Sequence, residues 1–423
     1  MHRIHMKPTK VCIIAKYLYP FDTRLCQQVH TLEEQGIPCD VICCYTEGQS
    51  RTEHLQYTTI HRVAEKSVTQ GSFITYLLAT FQFISATFFK LLSISLKNSY
   101  RAIVVHTLPE FLVFITFINK LLGSRIILDG RDLTVDLLDS RWSSKKVKAV
   151  KYIAKFLEKI IVSFCDHVIT ASNGFRRSLI QRGIKGSKVT VLINTADISI
   201  FKYDENRTFS TITSNARFIY HGTVSERFGI FVAVKAMETV SKRIPGSILK
   251  IHGWYDLGYR RKMEQYISDK QLQKAIIFGD PLPLQEIYKV IMTTDIGIVP
   301  YLSDNFMNIA LSTKSFEYIA SGIPVVASRL KSGEELFNDE CIQYSEPGNP
   351  KSLAENIITM CLNPDLRAQK RKTAYSTFNQ NYTSIIQNRN YLQIIASSLD
   401  IEDLIIDSTP VNSVEPLEQP SLV

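Results

Sequence analysis

No C-x-x-C pair occurs among the eight cysteines, which stand at 12, 26, 39, 43, 44, 165, 341 and 361. That spacing argues against a zinc-ribbon type of site, and 423 residues is far too long for a disulfide-stapled scaffold. The thiols read as buried side chains in a reducing cytosol. A G-x-G-x-x-G is missing after the first apolar run, where Ala15–Pro20 reads AKYLYP, so a Rossmann dehydrogenase is disfavoured. The apolar stretch near the start, VCIIAKYLYP, is too short and interrupted for a secretory signal. Long runs of one charge are also missing. The formal charge of +9 is too diffuse to point to a nucleic-acid partner, and none is expected; it suits anionic substrates or an anionic membrane surface. Only Ser72–Phe89 runs eighteen residues without a charge, closed by Lys90. It meets the minimum length for a spanning helix but holds six Ser, Thr and Gln residues. It is expected as a helix largely buried between sheet and neighbours, with a membrane-dipping or spanning helix as the alternatives.

Apolar residues make up 45% and charged residues 21% of the chain, ordinary for globular proteins with a sizeable core. The length argues for two or three domains. Short β-branched runs alternate with amphipathic stretches. Val11–Ala15, Cys39–Cys44, Ala102–His106, Arg125–Leu128, His167–Ala171 and Val189–Ile193 form one series of expected strands. Arg217–Tyr220, Ile248–His252, Ala275–Phe278, Ile296–Val299 and Pro324–Ala327 form another. Helical patterns such as Arg24–Gln35 and Lys145–Phe164 lie between them. Near-continuous apolar strands between helices imply parallel sheets covered on both faces. The fold class is therefore α/β, with two doubly wound Rossmann-like domains facing each other across a cleft. Polar Asn194–Ala216 marks the boundary, giving domains over 1–200 and 201–375. A C-terminal helix over 376–400 packs back towards the first domain, and the acidic tail 401–423 is expected to be disordered.

Ligands of doubly wound sheets bind at the carboxyl ends of the strands. Leu311–Ser328, LSTKSFEYIASGIPVVAS, parses as a helix over Thr313–Ser321, a stop at Gly322 and Pro324 leading into a strand. Ser312 and Thr313 are good N-cap types, and a helix start suits a phosphate. Lys314 in the first turn opposes the helix dipole, which suggests that it meets an anion. Glu317 shares its face and could accept both hydroxyls of a ribose; the alternative is a plain surface helix with an i,i+3 ion pair.

This string resembles the donor-site signature of family-four glycosyltransferases, the retaining enzymes of the GT-B fold. Other pieces are similar to that family and fall in its order: Asp22-Thr23-Arg24 before CDVICC, Cys165–Ser172, Val189–Asn194 with Asp197 and Phe201, Phe218–Thr223 with Arg227 and Gly229, and Thr294–Pro300. The resemblance spans residues 10 to 395. It implies transfer of a sugar from a UDP- or GDP-sugar to a glycan, free or lipid-linked, as in lipopolysaccharide or capsule synthesis. No metal or other cofactor is implied, and the place of work is the cytoplasm or its membrane face. Arg227, Lys314 and Glu317 would be catalytic. Gly222, Thr223, Ser312, Thr313, Gly279 and Asp280 would bind the sugar nucleotide, with Arg227 and Lys314 neutralising the diphosphate in place of a metal.

Two departures stand out. The family often has two glutamates eight positions apart, and the earlier position here is Ile309. Relatives commonly carry His where this chain has Arg131, in Leu128–Asp132; an Arg could serve a diphosphate or an anionic acceptor but not act as a base. Acceptor-side candidates are Asp22, Arg24, His106, Asp129, Arg131 and Asp132. For Asp129 and Asp132 the competing reading is turn chemistry and capping, and for His106 a satisfied loop residue. Lys145–Phe164 has an apolar stripe at Val147, Val150, Ala154, Leu157 and Ile161, flanked by Lys148, Lys151, Lys155 and Lys159, with Trp142 just before. Such a helix either shows a solvated lysine face or rests on anionic lipid, as Ser72–Phe89 could. An inactive GT-B subunit acting as a binding partner and a nucleotide-sugar epimerase are the other functional readings.

Overall fold

A computed structural model describes residues 10–66, 73–141 and 147–399. The acidic tail and Trp142 lie outside the described residues, as do Ser72 and Lys145, while Val147 and Lys148 belong to a helix without described side chains.

Among the described residues, fourteen strands form two sheets. The first contains β1 (Lys10–Leu18), β2 (Cys39–Tyr45), β3 (Thr52–His54), β4 (Thr58–Glu65), β5 (Tyr100–His106), β6 (Arg125–Gly130), β7 (His167–Thr170) and β8 (Val189–Val191). Its order is β3-β4-β2-β1-β5-β6-β7-β8, parallel except for β3 against β4. The second contains β9 (Arg217–His221), β10 (Ile248–His252), β11 (Ile276–Gly279), β12 (Ile296–Val299), β13 (Val325–Ser328) and β14 (Gln343–Ser345), in the order β11-β10-β9-β12-β13-β14. Both are doubly wound, reversing direction between β1 and β5 and between β9 and β12. Such switch points open crevices at the strand ends.

The helices are α1 (Thr23–Glu34), α2 (Phe73–Ser95), α3 (Phe117–Leu121), α4 (Thr134–Arg141), α5 (Val147–Phe164) and α6 (Asn173–Gln181) beside the first sheet. Around the second stand α7 (Ile230–Arg243), α8 (Leu257–Asp269), α9 (Leu284–Met292), α10 (Thr313–Ala320), α11 (Lys331–Leu336), α12 (Pro350–Leu362) and α13 (Pro364–Asn381). The last helix, α14 (Ser384–Leu399), returns to the first sheet, where Tyr391 and Ile395 pack with Leu25 and Val29 of α1. Side chains alternate across a strand. Val11 and Ile13 therefore join that core, while Cys12 and Ile14 face Phe83 of α2 and Ile161 of α5 on the other side.

Three strands escape the apolar pattern: β3, β4 and β14. β4 reads TTIHRVAE, and its buried His61 and Arg62 pair with Asp40 at 3.1 Å and Glu53 at 2.5 Å rather than with apolar neighbours, while His61 Nδ1 and Arg62 Nε have no hydrogen-bond partner. Seven thiols are buried as expected, but Cys26 is only half-buried. The larger correction concerns α2, expected to be largely buried. It gives the sheet a narrow stripe, Thr80, Phe83, Thr87, Leu91 and Ile94, and leaves most of its remaining circumference uncovered because no further layer of described residues packs outside it. Of the apolar stripe on α5, Ile161 is buried, whereas Val150 and Leu157 are exposed.

Candidate active site

The carboxyl ends of β9 and β12, in the second half of the molecule, carry much of the site. β9 ends at His221 and turns at Gly222, whose φ is +104°. That region is costly for any residue with a Cβ. Space demands glycine too, since a Cβ there would stand 2.8 Å from Cε and Nζ of Lys314. Beyond β12, Tyr301 turns inward and is buried. Its hydroxyl receives hydrogen bonds from Lys314 Nζ at 3.1 Å and Ser312 Oγ at 3.2 Å. The lysine is nearly buried, with its ammonium 5.3–5.6 Å from the ring centres of Tyr220, Phe228 and Tyr301. Cation–π attraction holds it at the start of α10.

The helix α10 forms as its caps dictate. Gly322 takes a φ of +71°, and Ile323 N–H donates back to the Tyr318 carbonyl at 2.8 Å. Ser312 occupies the N-cap without a side-chain hydrogen bond to the helix, because its hydroxyl turns to Tyr301. The side chain therefore leaves the first-turn N–H groups without its usual cap. One turn in, Glu317 Oε2 approaches His221 Nε2 to 3.0 Å, both side chains about nine-tenths covered. The contact is not aligned as a hydrogen bond, and both atoms are buried without an aligned partner. Unmatched buried polar atoms are expensive and rare.

Arg227 sits on a 3-10 turn, Glu226–Phe228, with Nε 3.3 Å from Asp304 Oδ2 and its guanidinium 5.1 Å from the Phe306 ring centre. It lines a cleft of about 950 Å³ together with Thr223, Asp256, Lys262 and Asp304 from the second half, and Asp132 and Leu137 from the first. Surrounding protein in the cleft raises the Asp132 carboxyl above its usual range, although Arg131 and Arg227 pull it down and the residue stays open to solvent. Gly279 and Asp280 lie at the end of β11; Gly279 abuts His252, whose Nδ1 is 3.2 Å from the Asp280 carbonyl, and the Asp280 side chain is exposed. Thr313 opens α10.

The acceptor-side candidates divide. Asp129 accepts both arms of Arg24, at 2.8 and 2.9 Å, and Gln28 Nε2 at 2.7 Å. His106 Nε2 is 2.8 Å from Gln28 Oε1, and its Nδ1 accepts from Arg131 at 2.7 Å. Burial pushes His106 down to about 3, so the ring is neutral and its Nε2–H donates to Gln28. Asp129 is held well below the carboxylate range, as burial is outweighed by Arg24 and Arg131. Arg131 grips Asp22 with two bonds of 2.7 Å and stacks on Tyr17. Asp22 in turn caps α1 through Leu25 N–H at 2.9 Å, and its carboxyl stays low because Arg131 outweighs burial. Arg24, His106 and Asp129 are thus sealed into one internal network, which corrects the expectation that they face an acceptor. Arg131 is spent on Asp22 rather than reaching for an anion. Of the six, only Asp132 lines the cleft.

Ile309 stands against the first half of the molecule. Its carbonyl accepts from Ser172 Oγ at 2.5 Å, and Gly174 lies so close that a Cβ would be 2.6 Å from the Ile309 Cβ. Sequence reasoning did not nominate Tyr301, His221 or Asp304. His221 could have been found as the last residue of β9, and Tyr301 by its place just after β12.

Residues 203–377 match the family described as Glycosyl transferases group 1. Among solved structures, sucrose-phosphate synthase from Thermosynechococcus elongatus is similar with a TM-score of 0.71 and 15% identity, over 92% of this chain and 100% of that one. Anabaena HepE in complex with UDP and glucose gives 0.67 and 14%, over 92% and 100%. Staphylococcus aureus TarM in complex with fondaparinux, α-GlcNAc-glycerol and UDP gives 0.65 and 11%, over 93% and 100%. Residues 203–377 are thus similar to the glycosyl transferases group 1 family, and the chain as a whole has the fold of two Rossmann-like halves seen in these GT-B glycosyltransferases.

Proposed function

We propose that the chain is a retaining glycosyltransferase of the family-four type. In this reading it moves a hexose from a UDP- or GDP-sugar to a hydroxyl of a growing glycan, free or lipid-linked, in the cytoplasm. Lipopolysaccharide or capsule synthesis is the setting that the reading favours. One observation carries it: Glu317 Oε2 is buried without an aligned partner, one helical turn from Lys314 and beside the Gly222 turn. A carboxylate so placed suits the two hydroxyls of a ribose. The Lys314 ammonium and the first N–H groups of α10 suit the diphosphate that follows. The UDP in the similar Anabaena structure supports a nucleotide donor of this kind.

In the reaction proposed, the bond from the sugar C1 to the diphosphate oxygen breaks, and the acceptor hydroxyl bonds to C1 on the same face. Its proton passes to the departing diphosphate. Lys314 and Arg227 stabilise the charge that develops, with no metal, and the protein otherwise positions the reactants. Residues 201–375 bind the sugar nucleotide and 1–200 the acceptor, with Asp132 the acidic group that meets it in the cleft.

Calorimetric titration with UDP, GDP and ADP, without added metal, tests this reading. One nucleotide binds the wild type, and Glu317→Ala weakens it about 10–100-fold, the worth of a charged hydrogen-bond pair. If none of the three binds, the inactive-subunit reading takes its place.

A further inference from the structure

One face of the first sheet reaches solvent as an apolar surface. Its covering layer is α2, the 3-10 turn Glu110–Thr116, α3 and α5, and these elements join one another. Phe114 of the turn packs on Phe164 of α5 with ring centres 5.3 Å apart. Asn119 of α3 donates to Ser95 Oγ of α2 at 2.8 Å. The layer turns large apolar side chains outward along its whole width. Phe81 of α2 is 69% exposed, Leu121 of α3 72%, and Phe156 of α5 61%, and most of the exposed large apolar side chains among the described residues lie on these elements. Aromatic side chains carry roughly 150–250 Å² each. Nine large apolar side chains on these elements are more than half exposed, which exceeds by far the few hundred Å² that soluble monomers leave bare in one patch. The opposite face of the same sheet, under α1 and α14, has an ordinary two-sided core.

Charge indicates what covers this surface. On α5 the outward arc of Tyr152, Phe156 and Ile160 is bordered by Lys155 and Lys159, both exposed. The one acid of that helix, Glu158, is turned inward and bound by Arg182 at 2.6 Å. The helix α2 contains no acid and one base, Lys90. Lysine stems lie along apolar surface while their ammonium groups reach outward to an interface, and amphipathic helices of this composition rest at the headgroup boundary of anionic membranes.

We propose that this face is a monotopic docking surface for an anionic phospholipid bilayer. α2, α3 and α5 lie in the interfacial plane, with their outward apolar side chains in the acyl boundary and Lys155 and Lys159 among the headgroups. The inference is independent of the sugar-transfer reading, since it involves none of the cleft residues.

Flotation of the full chain with vesicles of phosphatidylcholine, alone or mixed with phosphatidylglycerol, is the test. The wild type floats with the mixed vesicles. The triple variant Phe81→Ser, Leu121→Ser, Phe156→Ser binds at least about tenfold more weakly, from the apolar area lost. The double variant Lys155→Glu, Lys159→Glu loses more than about tenfold on mixed vesicles, approaching its binding to neutral ones. All the substituted side chains are exposed, and unchanged circular-dichroism melting verifies the fold. Wild type that stays off both kinds of vesicle overturns the proposal. So does a dimer, seen by light scattering, that the triple serine variant dissociates, because a second copy would then be the occupant.

Discussion

Gly222 and Lys314 share one space: a Cβ on the glycine would stand 2.8 Å from the lysine ammonium. The residue that lets the backbone turn thus also leaves room for the cation, and the positive φ reinforces the choice. Gly222→Ala is expected to cost about 1–3 kcal/mol of stability from backbone strain alone. Lysine is flexible at its end, so the ammonium moves off Tyr301 rather than blocking folding. Nucleotide affinity then falls about tenfold or more. In a double-mutant cycle with Lys314→Met the two losses do not add, because both remove the same ammonium. Additive losses, read by calorimetry, would separate the two residues.

The site was legible in part because its local signals are strong. Gly322 and Pro324 frame α10 so clearly that its limits follow from chain chemistry. The network around Asp129 was not legible, since Arg24 lies 105 residues away and no local pattern joins them. A polar residue at a strand end reads alike whether it meets a ligand or another side chain. β4 was missed for a related reason: its buried His61 and Arg62 break the apolar run and pair with carboxylates that only the fold brings near. The exposure of α2 and α5 was hidden differently. Helical periodicity gives an apolar stripe, but not which part of it the sheet takes.

The sealed network has a consequence for acid stability. His106 is fully buried and pushed down to about 3, by burial first, with Asp129 opposing and Arg131 assisting. Its folded value lies below the unfolded one of about 6.5, so the unfolded chain takes the proton first as pH falls. Stability from this group is therefore complete above pH ~6.5 and is lost on the way down towards 3, at up to about 1.4 kcal/mol per pH unit. Asp22 and Asp129, both lowered, add their losses only below the ordinary carboxylate value near 4. His167, also lowered by burial, contributes in the same direction, and a substitution at His106 leaves it in place. Denaturant unfolding between pH 6 and 4.5 should fall more steeply for wild type than for His106→Gln, which keeps a partner for Gln28. Parallel curves would mean that the imidazole is charged in the fold.

Gly174 tests whether the two halves must meet closely for activity. It is the second residue of α6, and a Cβ there would stand 2.6–2.8 Å from Cβ, Cα and the carbonyl oxygen of Ile309. Ser172 Oγ donates to that same carbonyl, and Arg177 binds Glu335 at 2.7 Å beside it. Backbone on both sides leaves nothing flexible to yield, so Gly174→Val acts as a wedge. The sugar-nucleotide residues lie in the second half and are untouched. Nucleotide affinity is therefore expected to stay within about twofold of wild type, whereas turnover falls on the order of a hundredfold, the cost of a misplacement of about 1 Å between reacting groups. Solution X-ray scattering should show a larger radius of gyration. Turnover equal to that of wild type, with the radius increased, would show that the Ile309 contact is dispensable for the reacting geometry.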